Sequence, residues 1–280
     1  MFRLAVPLAV LSVIYGIARL RSRRTGRKHT ISWLPKGGAD AIAQLGIFVF
    51  ADLLYETVRG VAESNEAVPF QNARSIVSTE RTFHFFVEQS VQSWAMGHRF
   101  IVDWANFMYV NSHFVITTTF LIWLYIFRNQ SFYYVRNMFM IAMFLALVGY
   151  VAYPTAPPRF MPEWGFSDTV ASFVGQSAEQ SANVLYNPFA AVPSMHVAFA
   201  LMIGIPASQI VQHRVFKVLW LVYPAVVTFV VVVTANHFWL DAALGALVAG
   251  LSASAASFAL ARARPDAWAW HAGRPAEAVA

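Results

Sequence analysis

The chain has 280 residues, of which 58% are hydrophobic and 12% charged, with a mean hydropathy of +0.52. A soluble domain carries about 25% charged residues, so the composition excludes an ordinary soluble enzyme and predicts an integral membrane protein. The absence of cysteine excludes disulfides and thiolate metal sites, and the net charge of +6 does not indicate a nucleic-acid partner, because the basic residues form short clusters between apolar runs.

A bilayer core needs about 20 apolar residues as helix. Residues 4–20 just meet that length and precede Arg21, Arg23, Arg24, Arg27 and Lys28. A signal peptide has the opposite order of charge and apolar run, so the pattern predicts an uncleaved first span with its amino terminus outside. Residues 41–59 form the second span, on which Asp52 and Glu56 lie one turn apart and share a face expected to avoid lipid. Residues 60–97 leave the membrane. Within them, 75–94 mixes Ile76, Val77, Phe83, Phe86, Val87 and Val91 with Glu80, Arg81 and Glu88. That mixture predicts an amphipathic helix at the outer interface, with an ordinary surface helix as the alternative.

The third span, 100–127, is entered through Asp103, Asn106, Asn111 and His113, and Arg128 and Arg136 bracket the turn after it. The fourth ends at Tyr153-Pro154-Thr155-Ala156-Pro157-Pro158-Arg159, where three prolines in five residues stop the helix. A polar outer loop, 161–187, follows and is long enough to cap a site. Spans five to seven cover about 193–211, 218–234 and 237–260, with His213, Arg214 and Lys217, then Arg262 and Arg264, at their inner ends. Residues 265–280 lack apolar periodicity and read as a cytoplasmic tail. The expected fold is all-α: a polytopic transmembrane bundle of about six core spans plus an amino-terminal span, with an extracytoplasmic interfacial helix. All four basic clusters fall on one side, and the proline loop, Pro193–His196 and His237 fall on the other.

Two short motifs carry the chemistry: Pro193-Ser194-Met195-His196 and His237-Phe238-Trp239-Leu240-Asp241. His237 and Asp241 are four apart, hence on one helical face. A carboxylate within a transmembrane helix costs about 2.5–3.5 kcal/mol and marks a function. Accepting a proton from one imidazole nitrogen, it leaves the other nitrogen as nucleophile or base; a structural pair or a metal site would share this spacing. Proline favours the first turn of a helix, so Pro193 is expected to start the fifth span. Ser194 and the adjacent amides would then form an anion-binding helix start, with His196 beside it to protonate a leaving oxygen.

This motif pair resembles the type 2 phosphatidic acid phosphatase superfamily, in which Pro-Ser-x-His and His-x-x-x-Asp form the active site. The resemblance runs from about the third span to the seventh. It implies that His237 is the nucleophile forming phosphohistidine, Asp241 orients it, His196 is the acid and then the base, and Ser194 binds phosphate oxygens. The family's Lys-x6-Arg-Pro motif is absent in that form, and Val231 stands where the family places an arginine upstream of the second histidine. Arg159 is the expected replacement clamp; a solvated loop charge is the alternative. The proline loop and the Asn236-His237-Phe238 form of the second motif are similar to the inositol phosphorylceramide synthase and inositolphosphotransferase-like branch. That branch implies a lipid phosphate or phospholipid substrate at the outer surface of the cell membrane. His113 and Tyr109, near the outer half of the third span, are candidates to line the headgroup pocket, as are Asp103 and Asn106, with interhelical hydrogen bonding the commoner role for each. Asn236, beside His237, is a further candidate substrate contact.

The expected organisation is thus 1–40 as amino-terminal span and basic loop, 41–264 as membrane-embedded phosphatase or phosphotransferase domain, and 265–280 as tail. No cofactor and no metal are expected. A metal-dependent hydrolase using His196, His237 and Asp241 is one competing reading. The other is a transporter or channel relaying protons through Asp52, Asp103, His237 and Asp241, whose groups should be spread over the bilayer depth.

Overall fold

The structure, a computed structural model, describes residues 34–61, 67–175 and 189–271; the expected first span at 4–20 and its basic cluster lie outside them. Among the described residues every regular element is a helix. They form α1 (Gly37–Val61), α2 (Ala67–Thr82), α3 (Glu88–Met96), α4 (Arg99–Phe107) and α5 (His113–Phe127). Then come α6 (Asn129–Ala152), α7 (Thr169–Val174), α8 (Met195–Ile210), α9 (Arg214–Val233), α10 (Trp239–Ala255) and α11 (Pro265–Trp268). Among the described residues, four helices are long and apolar enough to cross a membrane, Gly37–Tyr55, Asn129–Ala152, Arg214–Val233 and Trp239–Ala263, and a bent pair, Arg99–Asn111 with His113–Phe127, makes a fifth if it is one span. These support integration into a bilayer, where only internally hydrogen-bonded helices or closed barrels span.

Several expected elements are redrawn. The third span is not one straight helix. A π-helical turn at Met108–Ser112 separates α4 from α5, and the two arms meet at 46°. Such turns bend helices by disturbing the i→i−4 ladder. The expected interfacial helix is two helices. After α2, His84 adopts φ 60° while Phe85 N–H returns to the Glu80 carbonyl at 2.7 Å, so the chain reverses before α3. The expected fifth span, α8, begins at Met195, with Pro193 ahead of its cap, and has only 16 residues.

On α1 the packed face carries Ala41, Phe48 and Tyr55 with the buried Gln44, a helical i, i+3, i+7, i+14 stripe. Asp52 lies on the exposed side rather than on the face turned from lipid. Asn106 of α4, a candidate for the pocket, instead exchanges hydrogen bonds with Thr169 at 3.1 Å. Asp103 is exposed beside Arg99.

The contacts define two ends of the bundle. At one end Asp40 accepts hydrogen bonds from Tyr125 (2.8 Å) and Tyr133 (2.7 Å). Here too the Ser131 hydroxyl reaches the His271 carbonyl, and Trp270 packs on Tyr134. The beginning of the expected free tail is therefore docked. At the other end Tyr55 meets Tyr150 at 3.0 Å, and Tyr150 donates to the Pro193 carbonyl at 3.3 Å. Both motifs belong to this second end.

Candidate active site

The two motifs are joined through backbone. Where α10 crosses the start of α8, Ser194 N–H donates to the Asp241 carbonyl at 3.0 Å. A Cβ on Gly245 would run into the Ser194 carbonyl oxygen, so only glycine permits this approach one turn beyond Asp241. The chain enters the second motif through a tight turn after α9, with Ala235 at φ 50°. The Val231 carbonyl accepts from both Asn236 and His237 N–H groups, at 2.9 and 3.3 Å. Arg159 N–H donates to the Ala235 carbonyl at 2.8 Å, which ties the proline loop to the residues just before His237. That loop is held in turn by Asn72, whose amide donates to the Pro154 carbonyl at 2.7 Å, and by the paired segments at Thr155 and Ala190.

Asp241 is fully buried behind His237. Its Oδ2 accepts from Phe238 N–H at 2.9 Å and lies 3.4 Å from His237 Nδ1. That is long for a hydrogen bond. With Nδ1 turned to the carboxylate, Nε2 is the nitrogen left for chemistry. His196 faces it with ring centroids 5.8 Å apart.

A cavity of about 60 Å³ opens between the histidines, lined by His196, Asn236, His237, Arg159 and the rings of Tyr55, Tyr109 and Tyr150. At roughly 10–15 Å³ per water, it has room for a phosphate-sized group. Arg159 reaches it as a nearly buried cation, paired with Asp168 at 3.0 Å; Asp168 also caps α7 through Ala171 N–H at 2.9 Å. The solvated-charge reading of Arg159 does not fit this burial. Asn236 is held by Thr234 at 2.8 Å.

Two expected contacts sit one layer back. Ser194 is the N-cap of α8 without a side-chain cap bond; its hydroxyl is buried with no partner among the described residues and does not line the cavity. His113 tilts against His196 with centroids 4.8 Å apart and lines a smaller apolar hollow of about 10 Å³ beneath it, together with Val231. Among the described residues no three His, Asp or Glu side chains form a set able to hold a metal ion.

Residues 74–255 match the sequence model of the PAP2 superfamily. The chain belongs to the PAP2 superfamily. No curated protein and no solved structure matches it. Membership makes this a phosphatase or phosphotransferase-type enzyme acting on a phosphate ester, and its apolar helices are those of an integral membrane protein.

Within this PAP2 chain, sequence reasoning missed four groups at the site. Tyr55 and Tyr150 reach the cavity from α1 and α6, and nothing in their local sequence marks them. Glu80 and Glu88 are buried and accept the N–H groups of Leu240 and Trp239 at 2.8 and 2.9 Å. Here a signal existed. Glu80 falls on the apolar stripe of Ala73, Ile76 and Val77, where a carboxylate must have a partner. Burial and the adjoining Glu88 hold the Glu80 carboxyl well above the ordinary glutamate range.

Proposed function

We propose that the protein is a membrane-embedded phosphatase or phospho-headgroup transferase acting on lipid phosphates, through a phosphohistidine on His237. The observation that carries this is the pair of imidazoles facing each other across one phosphate-sized cavity, with a buried carboxylate behind one and Arg159 at the side. Nε2 of His237 attacks phosphorus, the P–O bond to the leaving alcohol breaks, and His196 supplies that oxygen's proton. His196 then takes a proton from water or an acceptor alcohol, which attacks phosphohistidine and frees His237. Splitting one displacement into two is the use of a covalent intermediate. Arg159 and Asn236, which line the cavity, bind phosphate oxygens; the Ser194 hydroxyl, one layer back, joins them only by rotating toward the cavity, and His113 orients His196 by ring contact.

The small cavity supports a lipid substrate whose phosphate enters while its chains remain in the bilayer. We place the site on the extracytoplasmic side of the cell membrane, since Arg128, Arg214 and Arg264 lie at helix ends remote from the motifs and Arg136 lies two turns inside α6 from the same end. The absence of cysteine makes this directly testable. Glu163→Cys, at the site end, should react with an impermeant maleimide on intact cells, whereas Arg214→Cys should not; the reverse pattern inverts the topology.

The decisive assay offers phosphatidic acid, polyprenyl phosphates and phospholipid headgroup donors to detergent-purified protein, with and without acceptor alcohols, inositol among them. Release of phosphate to water alone identifies a phosphatase; acceptor-dependent transfer identifies an inositolphosphotransferase-like enzyme. His237→Ala should abolish turnover and the acid-labile, alkali-stable trapped phosphate. Full activity in that variant would remove the nucleophile assignment. The arrangement does not favour a proton relay, because His237 and Asp241 share one end with the other motif and Asp52 and Asp103 lie on exposed faces.

A further inference from the structure

The start of α10 is saturated by carboxylates drawn from three helices. Its first donors, the N–H groups of Phe238, Trp239 and Leu240, go to Asp241 Oδ2, Glu88 Oε1 and Glu80 Oε1 at 2.9, 2.9 and 2.8 Å. A helix leaves its first amides unpaired, and one capping side chain usually satisfies one or two of them. Here α10 fixes the catalytic spacing, since it carries Asp241 and follows directly on His237.

The second oxygens of the two glutamates, Glu80 Oε2 and Glu88 Oε2, have no N–H or O–H partner among the described residues; held on the adjacent amides of Leu240 and Trp239, the two buried carboxyl groups are neighbours. Two neighbouring buried carboxylates do not readily both ionise. The charges acting on Glu80 are themselves negative, Glu88 from α3 and Asp241 from α10, and Asp241 faces His237. Arg81, next along α2, is directed over the Phe86 ring at 4.9 Å. The remaining wall is apolar: Ile76, Val77, Phe166, Phe238 and Leu240.

We infer that Glu80 and Glu88 are positioning residues for phosphoryl transfer: they share one proton and act as a single-charge clamp on the first turn of α10, holding His237 and Asp241 in register. The inference rests on His237 being the nucleophile. One charge matches the roughly half-unit positive end of a helix dipole. A second charge, added when the shared proton leaves, repels both its partner and Asp241, and the turn that carries the catalytic pair loosens. Neither glutamate lines the cavity, so the clamp acts on turnover and not on substrate affinity.

The test compares wild type with Glu80→Gln, Glu88→Gln, Glu80→Ala and His237→Ala, measuring kcat and KM against pH on the substrate found by the panel. A glutamine reproduces the protonated carboxyl, accepting from the backbone and donating to the remaining glutamate, but cannot lose the proton. Glu80→Gln and Glu88→Gln should therefore hold their kcat to higher pH than wild type, by a unit or more. Glu80→Ala should lower kcat about 100-fold, the scale of a ~1 Å misplacement, with KM changed less than about threefold.

Wild-type and glutamine profiles that coincide overturn the shared proton. Inactive but folded glutamine variants, or an undiminished kcat in Glu80→Ala, overturn the positioning role. Should Glu80→Ala not fold by size-exclusion, the two glutamine profiles decide alone. An active His237→Ala refutes the underlying nucleophile assignment instead, which separates the two failures.

Discussion

Gly245→Ala offers a test that touches no functional group. The added Cβ would overlap the Ser194 carbonyl oxygen and lie 3.1 Å from the Ser194 carbonyl carbon. Both are backbone, so no side chain can swing aside, and relief requires α10 to part from the start of α8 by about 1 Å. Overpacking of this kind costs ~1–3 kcal/mol, offset by about 1 kcal/mol of helix propensity gained in leaving glycine. The fold should survive with a net loss of up to ~2 kcal/mol. The rate should not survive as well. Gly245 lies one turn from Asp241, and Ser194 is two residues from His196, so the same displacement opens the gap between the imidazoles. A misplacement of ~1 Å costs about 100-fold, or ~2.7 kcal/mol of barrier. The assay is initial-rate phosphate release with thermal unfolding in the same detergent. Gly250→Ala is the control: it lies on the same helix and its Cβ meets nothing within 4 Å. Equal rates for the two variants would refute the claim that this crossing sets the catalytic distance.

Arg159→Ala should lower kcat/KM by ~10²–10³, the loss typical of one preorganised donor to a developing anion, and Arg159→Lys should restore only part because it lacks the planar fork. Asp168→Asn keeps the α7 cap, since asparagine also caps, yet releases Arg159 from its ion pair; inorganic phosphate should inhibit this variant several-fold more strongly than wild type. Asp40→Asn, at the opposite end, should cost about 1.5–3 kcal/mol through weakened charge-assisted bonds from Tyr125 and Tyr133, visible as a lower Tm with kcat unchanged. The Glu80 carboxyl, raised above its unfolded value, binds its proton more tightly when folded. Its contribution is full below about pH 4.5 and is lost as pH rises toward the folded value. Between about pH 5 and pH 8, Tm should therefore fall more for wild type than for Glu80→Gln, and equal slopes would contradict the shared proton.

The candidate site was legible in the sequence because its motifs are local. His237 and Asp241 at i, i+4 and the short Pro193–His196 motif specify their own geometry, and alternating basic clusters were enough to bring them to one end. Arg159 was reachable by elimination once Val231 was seen in the arginine position. What stayed hidden depends on tertiary pairing. Periodicity over 75–94 gives apolar and charged residues but not the reversal at His84, which rests on a single positive φ. The 46° bend in the third span comes from one π turn, and its apolar composition is that of a straight helix. Residues 265–271 read as tail because their anchors, Trp268, Trp270 and the His271 carbonyl, bind individually rather than as a stripe. Tyr55 and Tyr150 become site residues only because α1 packs on α6.

The arrangement of charge around His237 gives the proposed chemistry a direction. Behind the ring lie Asp241 and the Glu80–Glu88 pair, all bound to amides at the start of α10. That helix start is consequently occupied by the protein's own carboxylates and is not offered to a phosphate. The start of α8 differs, for its cap residue Ser194 makes no side-chain cap bond, and His196 and Met195 of its first turn line the cavity. Arg159 lies on that cavity side as well. In the proposed reaction the ring of His237 gains positive charge as it takes up phosphorus, which the carboxylates behind it would stabilise, while the phosphoryl oxygens face Arg159 and the start of α8. The negative and positive groups are thus separated by the ring that changes charge. Reversing that order, by moving a carboxylate to the cavity side, should be more damaging than deleting either charge: Asn236→Asp, nearly isosteric and adjacent to His237, would set an anion against the phosphoryl oxygens. It should lose more kcat/KM than Asn236→Ala, and recover partially as pH is lowered toward the carboxylate's own value. Equal losses for the two variants would mean that shape, and not the ordering of charge, governs the site.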